Sequence, residues 1–307
     1  MHPRSHDHDH HRHGQAQGTG RAFAIGIALN ALFVLVEWIC GVMANSLALI
    51  ADATHNFSDV LGLVLAWGAM ALARRPASTR FTYGLRGSTV LAALANAMLL
   101  LVATGGIAWE AILRFHSHGA VNAPVVIWVA ALGVAINAGT AMLFMAGRKT
   151  DLNIRGAYLH MAADAGVSLG VVVAGIGMAY TGWTWLDPVT SLLIVTVICL
   201  STWKLLRDAV KLALHAAPEN VDPLEVRRYL DGLPGVAEVH DLHIWAMSTT
   251  ETALTVHLVM PAGHPGDEFF SNVVHHIEDQ FRIGHATIQI ETGTSANPCL
   301  LAPDHVV

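Results

Sequence analysis

Long runs of apolar residues alternate with short polar breaks over the first two thirds of the chain. Apolar stretches fall at about 22–43, 47–73, 87–113, 124–147, 155–180 and 186–213. Each is long enough to cross roughly 30 Å of hydrocarbon at about 1.5 Å per residue. The spacing predicts six transmembrane helices. The first two are separated only by Ala44-Asn45-Ser46, which predicts an antiparallel hairpin. Trp183 and Trp185 stand between the fifth and sixth runs, where an interfacial aromatic belt would place them. Pro188 suits the first turn of the sixth helix, with Asp187 as its N-cap.

After Leu214 the pattern changes to that of a small water-soluble domain. DPLEVRRYLDG (222–232) reads as a helix that stops at Gly232 and Pro234. VAEVHDLHIWAMS and ETALTVHLVMP alternate as two strands about a turn at Thr249-Thr250. DEFFSNVVHHIEDQF has helical spacing and ATIQIET reads as a last strand. The predicted fold is therefore an all-α six-helix transmembrane bundle followed by an α+β domain of order α-β-β-α-β. That order is ferredoxin-like or metallochaperone-like. The expected division is a disordered tail at 1–20, a membrane domain at 21–213, a cytosolic domain at 214–293 and a second tail at 294–307.

Composition agrees with a lipid solvent. Of 307 residues, 53% are hydrophobic and only 13% charged, against about a quarter in a soluble domain. Mean hydropathy is +0.48. The net charge of −6 and the absence of a basic stripe exclude nucleic acid as the expected partner. Cys40, Cys199 and Cys299 are odd in number and widely spaced, without a C-x-x-C, so no disulfide framework is expected. The polar, His-rich N-terminus does not read as a cleavable signal peptide. Basic residues fix the orientation. Arg74, Arg75, Arg80 and Arg86, then Arg148 and Lys149, then Lys204, Arg207 and Lys211 fall on one side, and Arg114 on the other. By the positive-inside rule both termini are cytosolic.

The chemistry lies in the second and fifth runs. ADATHNFSDV holds His55 and Asp59 four apart, and YLHMAADAG holds His160 and Asp164 at the same spacing. Helical geometry stacks each pair on one face. An aspartate at mid-membrane costs about 2.5–3.5 kcal/mol on insertion scales, so something must offset it. Two imidazoles and two carboxylates around one Zn2+ do so, with four ligands at about 2.0–2.2 Å. Ala51, Ala53, Ala162, Ala163, Ala165 and Gly166 are expected to let the two helices approach. A polar clasp between helices would use the same residues, but two matched pairs favour a metal. Asn30, Glu37, Asn96 and Asn137 are expected to hydrogen-bond between helices, with Glu37 a candidate for the access path. Asp52 reads as a residue supporting the metal ligands or as local packing.

The nineteen histidines are clustered. His2, His6, His8, His10, His11 and His13 make the N-terminal tail a loose metal-gathering segment. His240, His243 and His257 sit on the predicted strands, Glu291 ends the last one, and His275, His276 and His285 lie on or after the second helix. Cys299 is a further candidate ligand.

SLALIADATHNFSDV, RFTYGLRGSTVLAALANA, HMAADAGVSLGVV, LDPVTSLLI and VHDLHIWAMS together resemble the cation diffusion facilitator family, over nearly the whole chain. The resemblance implies a homodimer in a bacterial inner membrane that exports metal from the cytosol in exchange for protons by alternating access. It assigns the transport site to His55, Asp59, His160 and Asp164, in the form of the zinc-preferring branch; such a donor set also tolerates Cd2+ and Co2+. It also places His240, His257 and Glu291 at or near positions of regulatory zinc, although Gln289 stands where some members have histidine. Zn2+ is thus expected as substrate and regulator, with no organic cofactor. The loop ARRPASTRFTYG lacks His, Asp and Glu, so the extra metal site that some members carry there is expected to be absent. Two other functions use parts of this pattern: an intramembrane zinc enzyme, and a membrane-tethered metal sensor without flux. No H-E-x-x-H occurs to support the enzyme.

Overall fold

The computed structural model describes residues 31–115, 119–145, 152–293 and 299–302. The N-terminal histidines, Asn30, Arg148, Lys149 and most of the C-terminal tail lie outside the described residues. Six apolar helices come first: α1 (described over Ala31–Ala44), α2 (Leu47–Ala73), α3 (Ser88–Arg114), α4 (Ala123–Phe144), α5 (Leu152–Thr181) and α6 (Leu186–Ala213). The last five are each long and apolar enough to cross a membrane. Their outer surfaces carry exposed Trp67, Val102, Trp128, Tyr180 and Leu200, a distribution suited to lipid rather than water. Then follow α7 (Pro223–Asp231), β1 (Glu238–Ala246), β2 (Thr252–Val259), α8 (Asp267–Phe281) and β3 (His285–Glu291). This is the expected α-β-β-α-β order.

The chain divides into two compact units, one formed by residues up to Leu63 with Met98–Thr202, the other by Val64–Ala97 with Trp203 onward. The first unit has a core of small residues, Ala44, Ala48, Ala51, Ala123 and Ala130, around Leu49, Val126, Val171 and Ile198. Small side chains bring helix backbones close where no hydrophobic effect between helices operates. At Gly41 an added Cβ would lie 3.0 Å from Ile50 Cγ1, and at Gly175 it would lie 2.8 Å from Ile127 Cγ1. A larger residue at Gly175 would force Ile127 to shift, and one at Gly41 would need Ile50 to give by a few tenths of an ångström.

Asn45 turns the α1–α2 hairpin with φ of 53°, a left-handed conformation that asparagine tolerates. Arg114, at the end of α3, donates to the Asn45 carbonyl at 2.7 Å. The role of Asp187 corrects the sequence expectation. Helix α6 already begins at Leu186, so Asp187 is not its N-cap. Its buried carboxylate instead accepts from Leu47 N (2.7 Å), Ala48 N (3.3 Å) and Ser46 Oγ. It thus caps α2 from a neighbouring helix. The first N–H groups of a helix have no partner within it, and inside apolar surroundings only a side chain can supply one.

In the second unit, β1 pairs antiparallel with β2, and β3 adds parallel to β2 after crossing over through α8. A parallel neighbour needs such a crossover. Asp222 caps α7 by accepting from Leu224 N at 2.9 Å. Val226, Leu230, Val273 and Ile277 bury the apolar faces of α7 and α8 against Leu254, Val256 and Leu258 of β2. Within this unit Arg86 reaches Glu251 at 2.9 Å and Thr89 Oγ1 accepts from Thr249 N at 3.1 Å. Two contacts therefore tie the β1–β2 turn to the start of α3.

Replacing Asp187 with alanine strands the α2 donors in the interior. A lost cap costs typically about 1 kcal/mol and up to about 2. Asp187→Ala is expected to lower the unfolding midpoint of the purified protein in detergent, and Asp187→Asn, which keeps an acceptor, to lower it less. An unchanged midpoint for Asp187→Ala would remove the capping role.

Candidate metal centre

Helices α2 and α5 meet through three successive contacts. His160 Nε2 lies 3.1 Å from Asp59 Oδ2, His55 Nε2 lies 3.6 Å from Asp164 Oδ1, and Ser168 Oγ donates to Asp52 Oδ2 at 2.8 Å. Positions rise along one helix as they fall along the other, so the two run antiparallel. The Asp59 and Asp164 carboxylates each also face the histidine of their own helix, at 3.8 Å for His55–Asp59 and 3.6 Å for His160–Asp164. Donor atoms of Asp59, His160 and Asp164 all lie within 4.8 Å of one another, and His55 reaches both carboxylates at the edge of that group.

The spacing has a chemical meaning. Four donors about 2.0–2.1 Å from one Zn2+ in a tetrahedron stand about 3.3–3.4 Å apart along each edge. The carboxylate–imidazole separations here run from 3.1 to 3.8 Å. His55 Nδ1, Asp59 Oδ2 and Asp164 Oδ2 are buried without a hydrogen-bond partner among the described residues. Unsatisfied polar atoms are rare in interiors, and a cation would satisfy the two carboxylate oxygens at once. The cluster is open on one side, where Asp59 and His160 are 35% and 43% exposed, and closed at Asp164, which is 4% exposed.

The alanines did not all behave as expected. Ala51 and Ala53 are fully buried on α2, but Ala162, Ala163 and Gly166 of α5 are exposed. The inward stripe of α5 is instead Asp164, Ser168 and Val171, at helical spacing. Asn137 is buried with neither side-chain atom paired among the described residues, so the expected interhelical hydrogen bond is not formed there. Glu37 does form one, accepting from Asn56 Nδ2 at 3.4 Å.

A second cluster forms on the three-stranded sheet. His240 and His257 are cross-strand partners on β1 and β2, and their rings meet edge to face at 5.3 Å. Glu291, opposite Val259 on β3, lies 3.5 Å from His240 Nε2 and 2.9 Å from His257 Nδ1. Cys299 Sγ lies 3.6 Å from His257 Nδ1. Donor atoms of these four residues all fall within 4.8 Å of one another. His240 is 3% exposed and neither ring nitrogen has a hydrogen-bond partner among the described residues, which suits nitrogen, oxygen and sulfur donors gathered for a metal.

Asp241 was missed by the sequence reading. Strict alternation would turn it to the face opposite His240. A bulge between His240 and His243, with Asp241 at φ of 50°, re-aims it. Its carboxylate then lies 3.4 Å from His257 and 2.8 Å from His243. An aspartate between two strand histidines was the only sequence signal available. Of the remaining histidines, His276 stacks on Tyr229, His275 lies 2.6 Å from the Ser271 carbonyl, and His285 meets Tyr83 edge on. None of the three joins the cluster.

An apolar helix bundle carrying a His/Asp donor set, joined to an α+β domain carrying another, is the make-up of a metal-handling membrane protein. Comparison with known proteins narrows the class. Residues 23–212 match the cation efflux transmembrane domain and residues 218–293 the cation efflux protein cytoplasmic domain. The chain belongs to the cation efflux, or cation diffusion facilitator, family. It is 38% identical to the metal cation efflux system protein CzcD of Cupriavidus metallidurans, over 87% of this chain and 85% of that protein. It is 36% identical to the zinc transporter ZitB of Escherichia coli, over 88% of this chain and 86% of that one. It is 34% identical to a cadmium, cobalt and zinc/H(+)-K(+) antiporter of Bacillus subtilis, over 85% of each. A solved metal-bound C-terminal domain of the Cupriavidus metallidurans CzcD transporter aligns with 23% of this chain and 99% of that chain, at 42% identity and a TM-score of 0.22.

Burial pushes the Glu291 carboxyl up, but the Cys299 thiol, the charges of His240 and His257 and the Gln289 amide together hold it below its ordinary value of 4.5. A depressed carboxyl stabilises the fold above its unfolded pKa, and that stability is lost as pH falls through the folded value. Acid unfolding of the metal-free chain is therefore expected to steepen below about pH 4.5. Glu291→Gln should flatten that limb and leave neutral-pH stability less dependent on acid. Identical acid limbs for the two proteins would count against the coupling.

Proposed function

We propose that this protein exports Zn2+, and with it Cd2+ and Co2+, from the cytosol in exchange for protons by alternating access. One observation carries the reading. Each imidazole of His55 and His160 stands 3.1–3.8 Å from the carboxylates of Asp59 and Asp164, within helices apolar enough to span a bilayer. Two carboxylates cancel the charge of one dication, and two neutral imidazoles complete its shell. Protons compete for the same four side chains, so a state that opens to the cytosol with metal and to the outside with protons exchanges the two. Relatives named as zinc transporters and as an antiporter support both substrate and coupling.

The protein acts as a homodimer in a bacterial inner membrane with both termini in the cytosol. Residues 21–213 carry the transport pathway, and 214–293 form a metal-sensing domain that joins the two copies. His240, His257, Glu291 and Cys299 hold regulatory Zn2+ there, with Asp241 orienting His257. The tail at 1–20 gathers metal loosely through His6, His8, His10, His11 and His13. The enzyme reading is weaker because four protein ligands close the shell that a catalytic zinc leaves open to water. A sensor without flux has no use for ligand pairs in membrane helices.

Radiozinc uptake into liposomes holding the purified protein tests the reading. A proton gradient should drive uptake, and Asp164→Ala should reduce it by more than the about 100-fold that losing a supporting residue costs a metal site. His160→Asp replaces a nitrogen donor with a harder oxygen and should shift preference from Zn2+ toward Mn2+. Deleting residues 2–13 should weaken uptake at low Zn2+ more than at saturation. Uptake indifferent to the proton gradient would refute the exchange, and uptake unchanged by Asp164→Ala would refute the site.

A further inference from the structure

A cavity of about 330 Å³ lies where the start of α3, the end of α6 and the end of β1 meet, wholly within the second unit. Its walls are mostly apolar: Val90 and Leu91 of α3, Leu212 of α6, and Trp245 and Met247 at the end of β1. Arg86 also lines it. That guanidinium gives Nη1 to Glu251 at 2.9 Å, and its Nε and Nη2 have no partner among the described residues. Apolar walls with a few placed polar groups are how ligand pockets are built, and the volume is at the low end of their range. Gly87 lines the cavity as well, and a Cβ there would meet nothing within 4 Å.

Charge adds to shape. From 60 to 109 the chain holds Arg74, Arg75, Arg80 and Arg86 and not one Asp or Glu. The connection from α2 to α3 folds back on the end of α2. Ser88 Oγ donates to the Ala69 carbonyl at 2.9 Å, and a Cβ added at Gly84 would stand 2.9 Å from the Arg75 carbonyl. Gly84 is itself a cavity residue, so the chain at Arg74 and Arg75 runs beside the cavity. Arg74, Arg75 and Arg80 are exposed and form no ion pair among the described residues. Glu251 therefore offsets one charge of four. Depth agrees. Helices α3 and α6 have 27 and 28 residues. Each is about 40 Å long, against about 30 Å of hydrocarbon and about 40–45 Å with both headgroup layers. Their ends thus reach headgroup level, the depth at which tyrosines such as the exposed Tyr83 of this connection are enriched.

We propose that this cavity holds one anionic phospholipid of the adjoining leaflet. Arg86 donates Nε and Nη2 to the phosphate, the two-pronged contact that a guanidinium makes with phosphate. The neighbouring arginines add unbalanced positive charge, and the first carbons of an acyl chain lie on Val90, Leu91 and Leu212. Basic pockets among the ends of membrane helices select such headgroups. A zwitterionic headgroup would set its own cation against the arginines. Free phosphate would leave the apolar walls wet. A second copy packed there about a two-fold axis would bring its own arginines to the same place. Because α3, α6 and β1 all contribute walls, the bound lipid joins the helix ends to the sheet. The proposal needs only that α3 and α6 span the membrane, and it holds whichever ion the protein carries.

The test uses the full-length protein in detergent. Native mass spectrometry measures its retention of phosphatidylglycerol and of phosphatidylcholine, and the unfolding midpoint is read with each lipid. Wild type should hold phosphatidylglycerol at least about tenfold more tightly, as two or more arginines near one headgroup imply, and only that lipid should raise the midpoint. Arg86→Gln and Arg75→Gln should each weaken its binding about fivefold, the contribution of one basic residue near an anionic surface. Gly87→Leu, which fills open space in the cavity, should weaken it at least as far. Glu251→Gln breaks the same ion pair as Arg86→Gln but should leave binding equal or tighter, which separates loss of the guanidinium from loss of the pair. Midpoints without added lipid show that the variants fold; should Arg86→Gln not fold, the other three decide. Equal retention of the two lipids would overturn the proposal, as would phosphatidylglycerol binding unchanged in both Gly87→Leu and Arg75→Gln. A midpoint raised as much by inorganic phosphate or glycerol phosphate would overturn it in favour of a free-phosphate site. Variants that alter the dimer population and not lipid retention would overturn it in favour of a second copy.

Discussion

A charged group inside a bilayer must be neutralised by something within reach. Around this constraint the helix bundle is arranged. Asp59 and Asp164 stand within the apolar helices α2 and α5, and each faces two imidazoles. That arrangement leaves buried oxygens without hydrogen-bond donors, which is unfavourable for the empty protein and favourable for one holding a dication. The buried oxygens Asp59 Oδ2 and Asp164 Oδ2, without a hydrogen-bond partner among the described residues, are the ones a cation there would satisfy.

The same constraint shapes the helix ends. Asp187 lends its carboxylate to the first N–H groups of α2, and Arg114 satisfies the carbonyl of the left-handed Asn45. These contacts fix where α2 begins, and hence the height at which His55 and Asp59 stand two and three turns later. Alanine at 48, 51 and 53 then lets the helix lie close to its neighbours. Capping and small-residue packing thus position the site.

The sheet solves a related problem in water. His240 and His257 are neighbours because β1 and β2 pair antiparallel, and Glu291 joins them because β3 returns parallel to β2. A single bulge recruits Asp241 to the same group. A single chain thus holds two donor sets, one within apolar helices and one on the sheet.

Much of this was legible beforehand. Six apolar runs, the Asn45 hairpin and the α-β-β-α-β order follow from periodicity, because lipid and a packed sheet each impose a repeat on the sequence. The pairs His55/Asp59 and His160/Asp164 were legible because four-residue spacing is a local property of a helix. Which face of α5 looks inward was not, and Ala162, Ala163 and Gly166 were assigned to it wrongly. Nor was the destination of Asp187, since a carboxylate in a first turn can cap its own helix or another, and local spacing does not distinguish them. Asp241 was hidden because a bulge breaks the alternation on which strand reading depends. Local order came from the sequence; which side chains meet across elements was decided only by packing in three dimensions.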